Sequence, residues 1–443
     1  MAAAAQHRNK MWSELPEELI VMISDRISLY ADYVRFSSVC FSWHSTLARN
    51  LCPSQQRQYF PFLLLPCEDD EENNSDTCNH YLLSLPENNN IYHLRSLPKQ
   101  SMSLYCPGSS HGWLVMVDQS TSSMNLVNPF TRVQLPLPSM NKFRRLLKNQ
   151  PYRFGKVYTK RLLSEEINML GVKKVVLSSS PSSSSLMSSS QFQSSDVVAV
   201  AIFNGLEALA FSRPGDKAWC RLTTASDYFV DVLFYRNHLY NIVRKKRCNR
   251  CRILVFRMDV DIDGGGPFLK LVDSIQIPES QHLLRWRPYM VESCGDLLLV
   301  ARESAVKPAP YFNPFEGKAI GFRVFKFCRG NSDDNRSSTW VEIKNLGDRM
   351  LFLGVNSSLS LSSHDFPGCR GNSIYFTSQE CRTNHLYGTQ GGGYDMNIYD
   401  MGVFNLEDKR IEPFPLQGCT SSRGPHLLQK FCAPPIWLFP NPN

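Results

Sequence analysis

The sequence predicts a mainly β protein with a small α-helical module near its start, the β part forming a propeller of about five to seven blades. Three observations lead there. Apolar residues recur at helical spacing between Leu15 and Leu47 and not convincingly after it. Beyond that stretch, short runs rich in Val, Ile, Phe and Tyr alternate with Gly, Pro, Asn, Asp and Ser. Those runs fall into a loosely repeated unit rather than into strand-helix alternation, which argues against a parallel α/β sheet.

In the helical module, Pro16 suits the first turn of a helix, where its missing N–H would be unpaired anyway, and Ser13 and Glu14 stand just upstream. Leu15, Leu19, Ile23 and Ile27 recur every fourth residue and are expected on one face, widened by Met22. Asp32 is expected to cap a second helix carrying Phe36, Cys40, Trp43 and Leu47. Two short amphipathic helices cannot bury their stripes against each other alone. They need a partner surface, or else they pack on their own domain.

The strand-like runs are Tyr59 to Leu65, Trp113 to Val117, Val197 to Phe203, Phe229 to Phe234, Leu239 to Val243, Ile253 to Met258, Leu297 to Val300, Phe322 to Phe327 and Ile374 to Thr377. A unit opens on an apolar pair around a polar turn, as in Leu233 to Tyr240 or Val291 to Leu298. It closes on an outer strand: Val133 to Leu137, Trp219 to Leu222, Val272 to Ile277, Trp340 to Ile343 and Ile411 to Leu416. The uneven spacing of these closing strands implies loops of variable length, which a radial repeat tolerates. A pair of β-sandwiches is the rival architecture. Glu68 to Asp76 reads as a solvated acidic loop, and Ser178 to Ser195 as a disordered serine-rich insertion, with a phosphorylation cluster as the alternative.

A chain of 443 residues with 42% hydrophobic and 11% aromatic content can fill a sizeable core. The formal charge of +8 is too diluted along it to imply nucleic acid. With neither a secretory leader pattern nor about 18 uncharged apolar residues in succession, the expectation is an intracellular protein of nucleus or cytoplasm that binds no membrane. The 14 cysteines are scattered and read as small buried hydrophobes. The sequon matches at Asn73, Asn335 and Asn356 are then coincidental.

The motifs that could carry chemistry are weak. Gly108-Ser109-Ser110-His111-Gly112 matches a nucleophile elbow in letters, but such an elbow needs a helix after it, and the apolar strand-like run Trp113 to Val117 follows. Cys248 and Cys251 form one Cys-x-x-Cys pair without the second pair that structural zinc requires. Arg244 to Arg247 reads as a basic hairpin turn, with a nuclear import signal as the alternative. Gly264 to Gly266 and Gly391 to Gly393 lack the lysine and helix of a phosphate loop. No catalytic residue, cofactor or metal is expected.

Leu15-Pro16, Leu19, Ile23, Ile27, Val39-Cys40 and Trp43 together resemble an F-box, and residues 10 to 50 are assigned to it. Ser37-Ser38 stand where many relatives have a bulkier or basic pair. Ser110 to Leu114 followed by Leu126 to Thr131, with Tyr289 to Val300, Asp400 to Leu406 and Ala433 to Trp437, resembles plant F-box proteins with a KIB-type, kelch-like β-propeller, here residues 55 to 443. The resemblance implies a non-catalytic substrate receptor of a Skp-cullin-F-box ubiquitin ligase. Leu15, Pro16, Leu19, Ile23, Ile27, Val39, Cys40 and Trp43 would serve the Skp-type adaptor, some as contacts and others as internal packing, with Trp43 expected inside. The propeller would hold a target protein whose identity the sequence does not give. The alternative from another class is a propeller enzyme or carbohydrate-binding module with an incidental helical appendage.

Overall fold

The computed structural model describes residues 12–27, 30–49, 61–65, 80–85, 90–94, 104–118, 120–140, 172–181, 197–203, 208–223, 227–245, 250–260, 267–277, 286–305, 318–330, 338–366, 368–377, 400–414 and 435–440. It divides into two compact units, Met1–Phe60 and Pro61–Asn443. The acidic loop, both glycine triplets, Cys248 and residues 182–195 of the serine-rich tract lie outside the described residues.

The first unit has three helices rather than the two expected: α1 (Glu17–Ser24), α2 (Tyr30–Ser37) and α3 (Phe41–Arg49). The long second helix breaks because the chain tightens at Ser38 and Val39, whose amides donate to the carbonyls of Arg35 and Phe36. Asp32 lies inside the first turn of α2 and pairs with Arg35 at 2.8 Å, so it is not the cap. Pro16 stands one residue ahead of α1 with its carbonyl accepting from Leu19 and Ile20, and Glu17 and Glu18 complement the positive helix end.

The second unit is a six-bladed propeller. Strands β1 (Phe62–Leu65), β2 (His80–Ser84) and β3 (Asn90–Leu94) belong to the first blade. The second holds β4 (Leu104–Ser110), β5 (Trp113–Asp118), β6 (Ser123–Val127) and β7 (Gln134–Leu137), and the third β8 (Val172–Leu177), β9 (Ala199–Phe203), β10 (Ala208–Ser212) and β11 (Cys220–Thr223). The fourth holds β12 (Asp227–Tyr235), β13 (His238–Lys245), β14 (Cys251–Val260) and β15 (Pro267–Gln276). The fifth holds β16 (Trp286–Ser293), β17 (Asp296–Ser304), β18 (Ala319–Cys328) and β19 (Thr339–Ile343). Five strands form the sixth: β20 (Arg349–Leu353), β21 (Leu359–Ser362), β22 (Ser373–Phe376), β23 (Gly402–Asn405) and β24 (Ile411–Glu412). The last strand, β25 (Ile436–Leu438), returns to the first blade and pairs antiparallel with β1, Leu63 opposite Trp437, closing the ring.

Each predicted closing strand falls on an outer edge: β7, β11, β15, β19 and β24. The two predicted turns are two-residue hairpins with positive φ at both central positions, Arg236-Asn237 at 47° and 59° and Cys294-Gly295 at 52° and 80°. That geometry matches the twist of the strands it joins. The sixth blade departs from the pattern: β21 turns inward from β20, so β22 lies beside β20 in parallel.

Packing between blades is apolar and interdigitated. Val115, Val117, Val175, Ala201 and Trp219 fill the space between the second and third blades, and Tyr289, Val300, Leu351 and Phe376 that between the fifth and sixth. Polar stitches run between blades as well. Trp219 donates its indole N–H to Pro138 O at 2.7 Å, Trp340 to Gln276 O at 2.9 Å, and Tyr235 its hydroxyl to Gly295 O at 2.6 Å.

Candidate functional site

The helical unit has a core of its own. Ile20, Tyr33, Trp43 and Leu47 are buried, with Leu15, Ile27, Phe36 and Cys40 packed partly against them. Trp43 is 6% exposed, its ring centroid 4.5 Å from that of Phe36 and its indole donating to Trp12 O at 3.2 Å. Trp43 is therefore internal, as expected. Arg49 at the end of α3 pairs with Glu17 at the start of α1 at 2.7 Å, an exposed contact worth little.

The every-fourth-residue stripe does not hold as one face. Four residues turn a helix by about 400°, so Leu15 to Ile27 drift around the axis, and Ile27 lies beyond the last residue of α1. Ile20, which the spacing passes over, becomes the buried residue, whereas Leu19, Met22 and Ile23 are turned outward. These three stand at i, i+3 and i+4, hence on one face of α1. Val39 and Phe41 at the α2–α3 junction are exposed as well, Phe41 at 87%, and so is Trp12. Of the eight residues assigned to the module's interaction, Pro16, Leu19, Ile23 and Val39 are thus exposed, while Leu15, Ile27, Cys40 and Trp43 serve the core wholly or in part. Trp12 and Phe41 were not singled out by periodicity, since neither belongs to a repeating stripe.

In the propeller, β4, β8, β12, β16, β21 and β25 are the innermost strands of their blades. At the end of the ring where hairpins join first and second strands, serines meet the segment between β20 and β21. The Ser109 hydroxyl donates to Trp437 O, the Ser357 amide to Ser109 O at 2.8 Å and the Ser357 hydroxyl to Ser110 Oγ at 2.9 Å. Val355 packs with Cys106, Leu114 and Ile436. A Cβ on Gly108 would stand 2.6 Å from Val355 O, so only glycine permits this approach.

Ser110 ends β4 and is followed by a two-residue turn, His111-Gly112, into β5. It is buried, and its oxygen accepts from the Leu177 amide at 3.0 Å. This is strand-turn-strand, so Ser110 is a staple between blades and no helix N-terminus stands behind it. Its motif lies within β4 and the following turn. Cys251 opens β14 opposite Arg244.

Lys174 on β8 and Asp231 on β12 form a buried ion pair at 2.5 Å, and Asp231 also accepts the Met290 amide of β16 at 2.7 Å. One carboxylate thus joins three consecutive blades. Among the described residues no group of three or more His, Cys, Asp or Glu could hold a metal ion, and no helix is long and apolar enough to cross a membrane.

Comparison with known proteins accounts for both units. The F-box domain profile matches residues 12–52 and the KIB1-4 beta-propeller profile residues 82–405. The chain is an F-box protein of the KIB1-4 β-propeller family. Its similar relatives are plant F-box proteins. The probable F-box protein At4g22165 of Arabidopsis thaliana is 25% identical over 94% of each chain. F-box protein SKIP23 of the same plant is 23% identical over 96% of this chain and 95% of its own, and F-box protein At2g26160 is 23% identical over 82% and 95%. In this F-box, the apolar residues divide between a core around Ile20, Tyr33, Trp43 and Leu47 and an outward face of α1.

Proposed function

We propose that the chain is a non-catalytic substrate-recognition subunit of a Skp-cullin-F-box ubiquitin ligase, acting inside the cell in nucleus or cytoplasm. The observation that carries this reading is the set of apolar side chains that the F-box leaves exposed beside its core: Leu19, Met22 and Ile23 on α1, Val39 and Phe41 at the α2–α3 junction. Exposed apolar surface of this kind marks an interaction site. A Skp-type adaptor covers it, and through the adaptor the propeller brings its target to the ubiquitin-charged enzyme. Catalysis is then proximity, since tethering raises the effective concentration of a target lysine. Residues 61–443 hold the target, whose identity is open.

The test is Ile23→Asp together with Leu19→Asp. Both side chains lie on the outward face of α1 at about 40% exposure, so the double variant should stay folded with a loss of no more than about 2 kcal/mol, from helix propensity and an acidic last turn. Adaptor binding should fall by about 100-fold or more, because two carboxylates would be desolvated unpaired in the contact. Truncating Leu15 and Pro16 to alanine is a less clean experiment, since Leu15 packs on the F-box core. Full co-purification of the doubly acidic variant with the adaptor would overturn the proposal.

A further inference from the structure

The fourth blade ends on a long outer strand. β15 runs ten residues, whereas the outer strands β3, β7, β11, β19 and β24 run between two and five. No strand covers its far side among the described residues. An edge of this length offers a row of backbone N–H and C=O groups to another chain. Phe268, Leu271 and Val272 are exposed along it.

A bulge decides which partner fits. Val255 stands opposite Asp273 and the next residue of β14, Phe256, opposite Leu271, so Val272 is the extra residue. Without the bulge Lys270 and Asp273, three apart, would stand on opposite faces of the sheet. With it, Phe268, Lys270, Asp273 and Ile275 lie opposite Asp259, Arg257, Val255 and Ile253, alternate residues of β14 and hence one face. That face turns toward the fifth blade, where Ile253, Val255 and Ile275 pack with Met290 and Leu299. Outward from the bulge it carries a charge on each side, opposite in sign, and then an apolar residue on each side. Such a strand complements a copy of itself running antiparallel. Lys270 falls opposite Asp273 and Phe268 opposite Ile275, each pair twice, with Leu271 and Val272 at the centre. The two ends stop the pairing alike: Pro267 has no N–H to give, and the carbonyl of Gln276, which would face it, already accepts the Trp340 indole at 2.9 Å.

We infer that β15 pairs antiparallel with β15 of a second copy of this chain, about a two-fold axis at Leu271 and Val272. Lysines and bulges on an edge strand ordinarily turn partners away. A second copy is the exception, because its Asp273 answers Lys270 and its own bulge matches the offset that would misalign any regular strand. Asp273 is open to this contact: it accepts the Ser274 amide at 2.7 Å, and its 3.6 Å approach to Arg329 is an exposed pair worth little. The contact is self-complementary and closes at two copies. The inference does not rest on adaptor binding.

The experiment follows the full chain by sedimentation velocity at concentrations up to about 100 μM, in low and in physiological salt. The wild type should form a dimer and no larger species, more weakly as salt rises. Lys270→Asp and Asp273→Lys each set like charges opposite one another twice, so either should weaken self-association about tenfold or more. Mixed in equal amounts, the two variants should dimerise again at close to wild-type affinity, because every reversed charge then meets its opposite on the other chain. Val272→Lys, which would bring two ammoniums to the axis, should also weaken the dimer and carries the test if Asp273→Lys fails to fold. Val133→Lys, at an exposed position beside β7 of the second blade, should change nothing. A wild type that stays monomeric at about 100 μM in low salt would leave the edge to a strand of some other protein and overturn the inference. A mixture of the two folded charge-reversed variants that stays monomeric, or equal losses from Val133→Lys and Lys270→Asp, would overturn it as well.

Discussion

Replacing Lys174 by methionine would leave the Asp231 carboxylate buried without its ammonium. Both side chains are at most 3% exposed, so solvent cannot take the place of the lost partner. Breaking one side of a buried ion pair costs about 3 to 5 kcal/mol, and the retained Met290 amide bond to Asp231 places this case near 3. Asp231→Leu in the same background removes the stranded charge but leaves the Met290 N–H unpaired, a residual cost of about 1 to 2 kcal/mol. The double variant should therefore be more stable than Lys174→Met alone, with a coupling of about 2 kcal/mol or more between the positions. Urea unfolding of the full chain, followed by its tryptophan fluorescence, to which the buried Trp113, Trp219 and Trp437 of the propeller contribute, reads these differences as midpoint shifts at constant slope. A loss below about 1 kcal/mol for Lys174→Met, or no recovery in the double variant, would refute the assignment of this pair as a three-blade junction.

Ser110→Ala should cost about 1 to 3 kcal/mol by orphaning the Leu177 amide, while ester hydrolysis stays at background and ubiquitination of the target is retained below the melting transition. Trp437→Ala should cost about 3 to 5 kcal/mol, since this ring is fully buried and meets Phe352 and Phe414 edge-on; hydrogen exchange should then quicken first in β1. Burial pushes the Cys106 thiol up to about 12, so at pH 8 an alkylating agent should take the exposed Cys294 and spare Cys106 until the protein unfolds, as peptide mapping would report. Because the folded value is raised, the stability held in the neutral Cys106 thiol is complete below the ordinary thiol range and is lost as pH climbs toward about 12.

What the sequence made legible was local. The hairpins at Arg236-Asn237 and Cys294-Gly295 announce themselves through alternation on both sides of a polar pair, and the outer strands through β-branched and aromatic runs. Strand β4 escaped that reading because Pro107 and Gly108 ordinarily argue against a strand; a bulge between Tyr105 and Gly108 accommodates them. The short β10, the inward turn of β21 and the pairing of β25 with β1 are decided by neighbours distant in sequence, for which no spacing rule exists. At the F-box, the residue types were readable but not their facing, because a repeat of four departs from the helical period and Ile20 sits between its marks. The charged junction of Lys174, Asp231 and Met290 was invisible for the same reason as β25: each residue is unremarkable until the ring brings three blades together.

The return of β25 to β1 also fixes when the propeller can become whole during synthesis. As β1 and β2 leave the ribosome, the inner edge of their sheet has no strand to pair with, and its mate is among the last parts of the unit to be translated. Until then the nascent chain carries an open sheet edge with the apolar Leu63 and Leu64 beside it, the kind of edge that recruits other chains. Completion is a loop closure spanning the whole unit, so it belongs to the slow end of folding. A newly made chain would therefore spend a vulnerable interval before its ring locks, and its yield in the cell would depend on chaperone cover during that interval.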